Sequence, residues 1–112
     1  MTKPNEHGVY EPDITRELAR CGRSYAAVTL AKCTDGLFRY AIQFHYSYGG
    51  MGGPIKDGAR GYSSQAAAED AGVVELLRCF PKWWPSEPVS VRDELAALRQ
   101  MIETKHRQLS LF

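Results

Sequence analysis

The stretch YAAVTLAKCTDGLFRYAIQFHYSY, residues 25–48, decides the fold of this chain. Residues 25–33 are permissive for a β-strand, and Thr34-Asp35-Gly36 predicts a hairpin turn, since Asp-Gly tolerates the positive φ of tight turns. Residues 37–48 then alternate with the period of two that a half-buried strand shows. One face of this strand is predicted to be buried and contains Phe38, Tyr40, Ile42, Phe44, Tyr46 and Tyr48. The opposite face is predicted to be solvated and contains Arg39, Ala41, Gln43, His45 and Ser47.

The segments around this hairpin contain strong turn and cap signals. Residues 1–12 carry Pro, Gly and Asn without periodicity, which is typical of a flexible lead-in. Asp13 is a suitable N-cap for a short helix over residues 14–20. Residues 49–54, Gly-Gly-Met-Gly-Gly-Pro, predict a mobile loop, and residues 59–63 a short third strand.

Two helices are predicted in the second half of the chain. The first runs from Gln65 to about Cys79, with Ser63 or Ser64 as its N-cap and Pro81 as its stop. The second covers residues 90–107. Its apolar residues recur at the spacing of one helical face and are Val91, Leu95, Leu98 and Ile102. This helix either docks on the domain or pairs with a partner helix, which would make the protein a self-associating module.

Between these helices, residues 81–89 form a proline-bounded linker that holds Trp83 and Trp84. Tryptophans can stack on unpaired bases or anchor a partner. Those that lie between prolines more often lock a helix onto its core, and we favour that interpretation.

The predicted fold class is α+β, with the element order α-β-β-β-α-α. Residues 13–80 form a three-stranded antiparallel sheet backed by a helix (β-β-β-α), followed by the linker, the C-terminal helix and a flexible tail at residues 108–112. The order of elements over residues 25–80, with the small-residue segment 61–71 leading into the helix, resembles the DNA-binding domains of the AP2 and integrase-arm type. The resemblance implies that the strands lie in the major groove of DNA while the helix backs them.

The charge distribution agrees with an anionic partner for the sheet. The net charge is only +1, but residues 20–62 hold six basic and two acidic side chains, a local charge of +4, and the remainder carries −3. Arginine and glutamine suit base edges and lysine suits phosphate. The candidate DNA-binding residues are Arg39, Gln43, His45, Lys56 and Arg60. The alternative is an ordinary solvated sheet face.

The most specific motif lies at residues 108–112. Gln108, Leu109, Ser110, Leu111 and Phe112 resemble the pentapeptide by which bacterial polymerases, mismatch-repair and initiation-control proteins dock on the replicative DNA sliding clamp. The resemblance implies that the Gln108 amide binds a pocket rim and that Leu109, Leu111 and Phe112 fill apolar cavities. It also implies a bacterial host, or a phage or plasmid within one. The alternative is that the last helix continues and Leu109 packs in its apolar stripe.

Other classes of function have little support. Cys21, Cys33 and Cys79 are widely spaced and odd in number, which predicts reduced thiols rather than a disulfide framework or a metal site. The histidines have no nucleophile or carboxylate at a recognisable catalytic spacing, so we expect neither an enzyme nor a cofactor. No apolar run approaches the roughly 20 residues of a membrane helix. A cytoplasmic protein is expected.

Overall fold

The computed structural model describes residues 4–81 and 85–110, and the side chains of residues 4–81 and 85–108. The elements in these residues are β1 (Val9–Tyr10), β2 (Ile14–Cys21), β3 (Ser24–Lys32), β4 (Phe38–Tyr46), β5 (Gly49–Gly52), β6 (Ile55–Lys56), α1 (Gln65–Cys79) and α2 (Val89–Ser110). Strands β2 to β5 pair in sequence order as an antiparallel sheet, and β1 pairs antiparallel with β6 in a second sheet. The class is α+β as predicted. The prediction of a single three-stranded sheet was wrong.

The central hairpin forms where the sequence predicts it. Strands β3 and β4 pair over their whole length, with Val28 opposite Ile42. The turn between them is closed by a hydrogen bond from the Gly36 amide to the Cys33 carbonyl (2.9 Å). Gly36 has φ +84°, in the left-handed region that glycine enters without a steric penalty. The Asp-Gly signal therefore identified the turn.

Residues 14–20, predicted to be helical, lie in strand β2 instead. Their apolar residues Leu18 and Ala19 are buried against the helices, with a bulge in the pairing between Glu17 and Ala19. The Asp13 carboxylate accepts a hydrogen bond from the Lys32 amide (2.8 Å), so it ties β2 to β3 rather than capping a helix. Pairing with β3 and burial outweigh a weak local helix signal, because tertiary contacts override propensity.

Three further segments differ from their predicted local structure. The lead-in contains β1, whose Tyr10 is buried beside Ile55 of β6. The glycine loop contains β5, which extends the main sheet along β4. Residues 59–63 form no strand, and only Tyr62 makes an isolated bridge, to Phe38.

Both helices pack on the same face of the main sheet. The core there joins the inward residues of β2, β3 and β4 to one side of each helix. Gly72 permits close approach of α1, since a Cβ there would lie 2.7 Å from Val28 Cγ1. The stripe predicted for α2 is confirmed, with Val91, Leu95, Leu98 and Ile102 at most 3% exposed. The helix therefore docks on its own domain.

The N-terminal part of α2 is also tied to the sheet by polar contacts. The Glu94 carboxylate accepts hydrogen bonds from the Ser24 hydroxyl, from the Ser47 amide (3.0 Å) and from the Ser47 hydroxyl (2.7 Å). Burial acts to raise the pKa of Glu94, but these hydrogen bonds outweigh it and hold the pKa below its ordinary value. Glu94 therefore links α2 to the first residue of β3 and to the residue that follows β4.

The second face of the sheet is partly covered, contrary to the expectation of a fully solvated face. Ala31, Cys33 and Ala41 form a second buried cluster with Tyr10 and Ile55 of the small sheet. Arg39 is also buried, at 7% exposure. The alternation of β4 therefore identifies its two faces correctly but not which parts of them are exposed.

Helix α2 continues through Ser110, beyond the predicted end at residue 107. The predicted tail thus has a helical backbone at residues 108–110. No Gly or Pro occurs after residue 88 to stop the helix, and Lys105, His106 and Arg107 favour its C-terminal end through the helix dipole. The residues that the structure describes do not include Leu111, Phe112, Trp83 and Trp84, or the side chains of Leu109 and Ser110.

Candidate functional site

The five residues predicted to contact DNA differ in burial and in the contacts they make. Arg39 and His45 lie on the same strand but six residues apart, which is about 20 Å in a β-strand. Gln43 donates a hydrogen bond to the Gly53 carbonyl (2.7 Å) and supports the β5 turn. Lys56 is exposed on β6 and Arg60 is exposed in the loop that follows it. Arg39 contacts the loop that carries Arg60.

Arg39 serves as an anchor for that loop. Its Nε donates to the Ala59 carbonyl (2.8 Å), and its two terminal nitrogens donate to the Asp35 carboxylate at 3.0 and 2.9 Å. The guanidinium lowers the pKa of Asp35 chiefly through this side-chain hydrogen bond. Its donors are therefore directed at protein groups, and the prediction that Arg39 lies on a solvated face was wrong.

The loop from Ala59 to Tyr62 is held at two further points. Gly61 lies against the Leu37 side chain, so a Cβ at this position would come within 2.7 Å of Leu37 Cδ1. Tyr62 exchanges two backbone hydrogen bonds with Phe38, at 2.7 and 2.8 Å. Anchored in this way, the loop presents the Arg60 side chain outward and the Tyr62 ring inward.

Beside this loop lies a recess of about 260 Å³ lined by Tyr40, Ala59, Arg60, Tyr62 and Glu75. The rings of Tyr40 and Tyr62 are 6.0 Å apart, centroid to centroid, and inclined at 43°. The Arg60 guanidinium lies over the Tyr62 ring, 5.2 Å from its centroid. This is a cation–π arrangement that keeps the guanidinium plane close to an aromatic surface.

The Tyr40 hydroxyl of the recess stays protonated near neutral pH. Burial, and then the neighbouring Glu75 carboxylate, raise the pKa of Tyr40 to about 12, so its hydroxyl remains a neutral donor. Arg78, one turn after Glu75 on α1, acts electrostatically on the same hydroxyl in the opposite direction. The recess thus combines two aromatic rings, a hydroxyl, a carboxylate and adjacent cationic charge.

Sequence reasoning identified Arg60 but missed its companions. Tyr40 was assigned only to the buried face, while Tyr62 and Glu75 were given no role. The available signal was the Arg60-Gly61-Tyr62 tripeptide, in which a glycine separates a cation from an aromatic ring. Glu75 had no local signal, because it reaches the recess from a helix that follows in the chain.

A second polar row crosses the far end of the sheet, where Arg20, Tyr25 and His45 are cross-strand neighbours. The Arg20 guanidinium lies 5.4 Å from the Tyr25 ring centroid, and its Nε is 2.6 Å from a Glu17 carboxylate oxygen. The Tyr25 and His45 rings are 6.4 Å apart. Since Arg20 is already ion-paired, this row offers less free positive charge than the recess.

Ile102 is the last residue of α2 that is buried among the side chains described, which end at residue 108. After it, within that range, His106 makes a long-range polar contact, with its Nε2 2.7 Å from an Asp70 carboxylate oxygen of α1. Arg107 and Gln108 are exposed. The first residue of the motif is therefore accessible to solvent.

Metal-binding and membrane-spanning features were also sought. Among the described side chains, no group of three or more His, Cys, Asp or Glu residues is placed to hold a metal ion. Neither α1 nor α2, as described, is long and apolar enough to cross a membrane.

Comparison of the chain with protein-family models, with curated proteins and with solved structures finds no match. Function is therefore inferred from the residues of this chain alone.

Proposed function

We propose that this protein docks on the bacterial replicative sliding clamp through residues 108–112 and thereby modulates replication or repair. The observation that carries the proposal is the five-residue match to the clamp-binding pentapeptide, which begins six residues after Ile102, the last buried residue of α2 among the described side chains. Exposed Gln108 is accessible to a pocket rim. An apolar anchor at Leu109 and two more at Leu111 and Phe112 match the small clusters that dominate interface energies.

The helical backbone of residues 108–110 is compatible with docking. The last four carbonyls of a helix have no intrahelical partner, so the final turn unwinds at little cost. A partner groove can therefore take up the motif in a helical or an extended form. Occupying a shared groove displaces other clients of the clamp by mass action.

The test is a titration of a purified bacterial clamp with the full chain. Leu109→Ala and Phe112→Ala are expected to weaken binding at least about tenfold, because hot-spot truncations commonly cost about 2 kcal/mol or more. Arg107→Ala, just outside the motif, is the matched control and is expected to bind like the wild type. Deletion of residues 108–112 is expected to abolish binding with no change in thermal unfolding. A large fall in thermal stability after the deletion would instead assign these residues to the core and overturn the proposal.

Duplex DNA binding by the sheet is a second candidate, now reduced to exposed Lys56, Arg60 and His45. The local excess of positive charge in residues 20–62 favours it. Binding through phosphates must weaken steeply with salt. A flat duplex titration at low salt would remove this candidate.

A further inference from the structure

We propose that the recess formed by Tyr40, Arg60, Tyr62 and Glu75 binds one unpaired nucleotide, with its base against the aromatic surface and its phosphate on Arg60. This site is separate from the C-terminal motif and goes beyond clamp docking. It also differs from duplex recognition, since a base that is stacked in a helix cannot enter a recess beside two tyrosine rings.

The aromatic surface is positioned before any ligand arrives. Two backbone hydrogen bonds to Phe38 fix Tyr62, and both tyrosine rings pack partly buried against the main core. Arg39 fixes Ala59 at the base of the loop. Aromatic side chains and arginine guanidinium planes are the surfaces on which proteins stack unpaired bases. A fixed platform limits the ordering cost of such binding.

The charge of Arg60 is available to an anion. Several exposed or partly exposed arginines of the chain are committed to carboxylates, namely Arg16, Arg20 and Arg99. Arg60 forms no ion pair with any described residue, and its contact is the Tyr62 ring. A cation–π contact uses the charge of a guanidinium but none of its N–H donors, which remain able to bind a phosphate.

Glu75 and Tyr40 argue for a base and against a simple anion. The Glu75 carboxylate on the wall would repel a phosphate that entered the recess deeply, but it can accept a hydrogen bond from an amino group of a base. The Tyr40 hydroxyl is hydrogen-bonded to the Glu75 carboxylate, which contributes to its raised pKa, so its oxygen is left as an acceptor for a second amino hydrogen of the base. A volume of about 260 Å³ lies below the roughly 300–1,000 Å³ of pockets for drug-sized ligands. One base is a group of suitable size.

The experiment measures binding of a fluorescein-labelled 12-nucleotide single-stranded DNA to the full chain by anisotropy. Arg60→Ala and Tyr62→Leu are expected to weaken binding about tenfold, because base stacking of this kind is usually worth that factor or more. The matched control is Arg20→Ala, which removes a guanidinium held over Tyr25 at the far end of the sheet. Equal weakening by Arg20→Ala and Arg60→Ala would mean general charge attraction and would overturn the proposal.

Two further ligands complete the test. One distinguishes base stacking from electrostatic attraction, and the other shows whether the recess binds a free nucleotide or only a strand. An abasic strand of the same length keeps the phosphates but lacks bases, and it is expected to bind at least about tenfold more weakly than the 12-nucleotide strand. Equal binding of the two strands would refute a base site.

Isothermal titration with dAMP tests whether the recess binds a free nucleotide. Heat of binding that disappears in Arg60→Ala assigns the recess to free nucleotides, and binding of the strand alone assigns it to single-stranded nucleic acid. If Arg60→Ala still binds both ligands like the wild type, or if the wild type binds neither ligand, the proposed site is refuted.

Discussion

Replacing Arg39 with methionine tests whether this residue is an anchor for the Arg60 loop. Methionine keeps a long apolar stem in a position that is only 7% exposed, so the change removes mainly the guanidinium and its hydrogen bonds. The bond from Nε to the Ala59 carbonyl (2.8 Å) is lost, as is the fork to Asp35. Hydrogen bonds to charged groups contribute about 1.5–3 kcal/mol each. The Asp35 side chain is 46% exposed, so solvent screens the ion pair and the Ala59 bond dominates.

We therefore expect Arg39→Met to lower the free energy of unfolding by about 2 kcal/mol. For a domain of this size, this corresponds to a fall in Tm of about 8 °C, at roughly 4 °C for each kcal/mol. Denaturant unfolding followed by circular dichroism measures the midpoint, and the slope is expected to stay constant. Asp35→Asn is the control and should cost clearly less, because Ala59 remains bonded.

The alternative interpretation makes the opposite prediction. A base-reading arginine on a solvated face would lose DNA binding on substitution while the midpoint of unfolding stayed the same. A change in unfolding free energy within about 0.5 kcal/mol, the usual range of surface substitutions, would refute the anchoring role.

Three other outcomes are expected. Ser64→Ala removes the side-chain cap that accepts from the Ala67 amide (3.1 Å) and should destabilise the fold by about 1 kcal/mol in a thermal melt, whereas Ser63→Ala should be near neutral. Glu94→Gln should destabilise by about 1 kcal/mol at pH 7. Because the folded pKa of Glu94 is lowered, its stabilisation is present above its ordinary pKa of 4.5 and is lost as pH falls through the folded value. The gap in stability between wild type and variant in urea melts should therefore close as the pH falls below 4.5. A thiol reagent should titrate exposed Cys21 and Cys79 in the native protein and buried Cys33 only after unfolding; rapid native modification of all three would contradict the burial of Cys33.

Local patterns predicted the parts of the fold that local physics controls. Asp35-Gly36 identified the hairpin turn, the pair Ser63-Ser64 the start of α1, and the stripe beginning at Val91 the inner face of α2. Each signal depends on residues close in sequence, through a turn geometry, a capping hydrogen bond or a helical period. The errors at residues 14–20 and 49–54 have the opposite origin. These segments carry weak local preferences, and the partner strands β3 and β4 determine that they become β2 and β5.

The candidate sites also have parts that the sequence predicts and parts that only the tertiary structure brings together. The sequence by itself determined the C-terminal motif, because a linear peptide is recognised by the order of its residues, and it placed Arg60 among the cations of the central segment. Only the tertiary structure decided that Arg39 is buried against Asp35 and Ala59, since the small sheet that helps cover this side of β4 joins residues 9–10 to residues 55–56. It also decided that Tyr40, Tyr62 and Glu75 meet beside Arg60. Those side chains come from a strand, a loop and a helix that are up to 35 residues apart in the sequence. A periodic pattern within one segment cannot predict a contact among three separate segments.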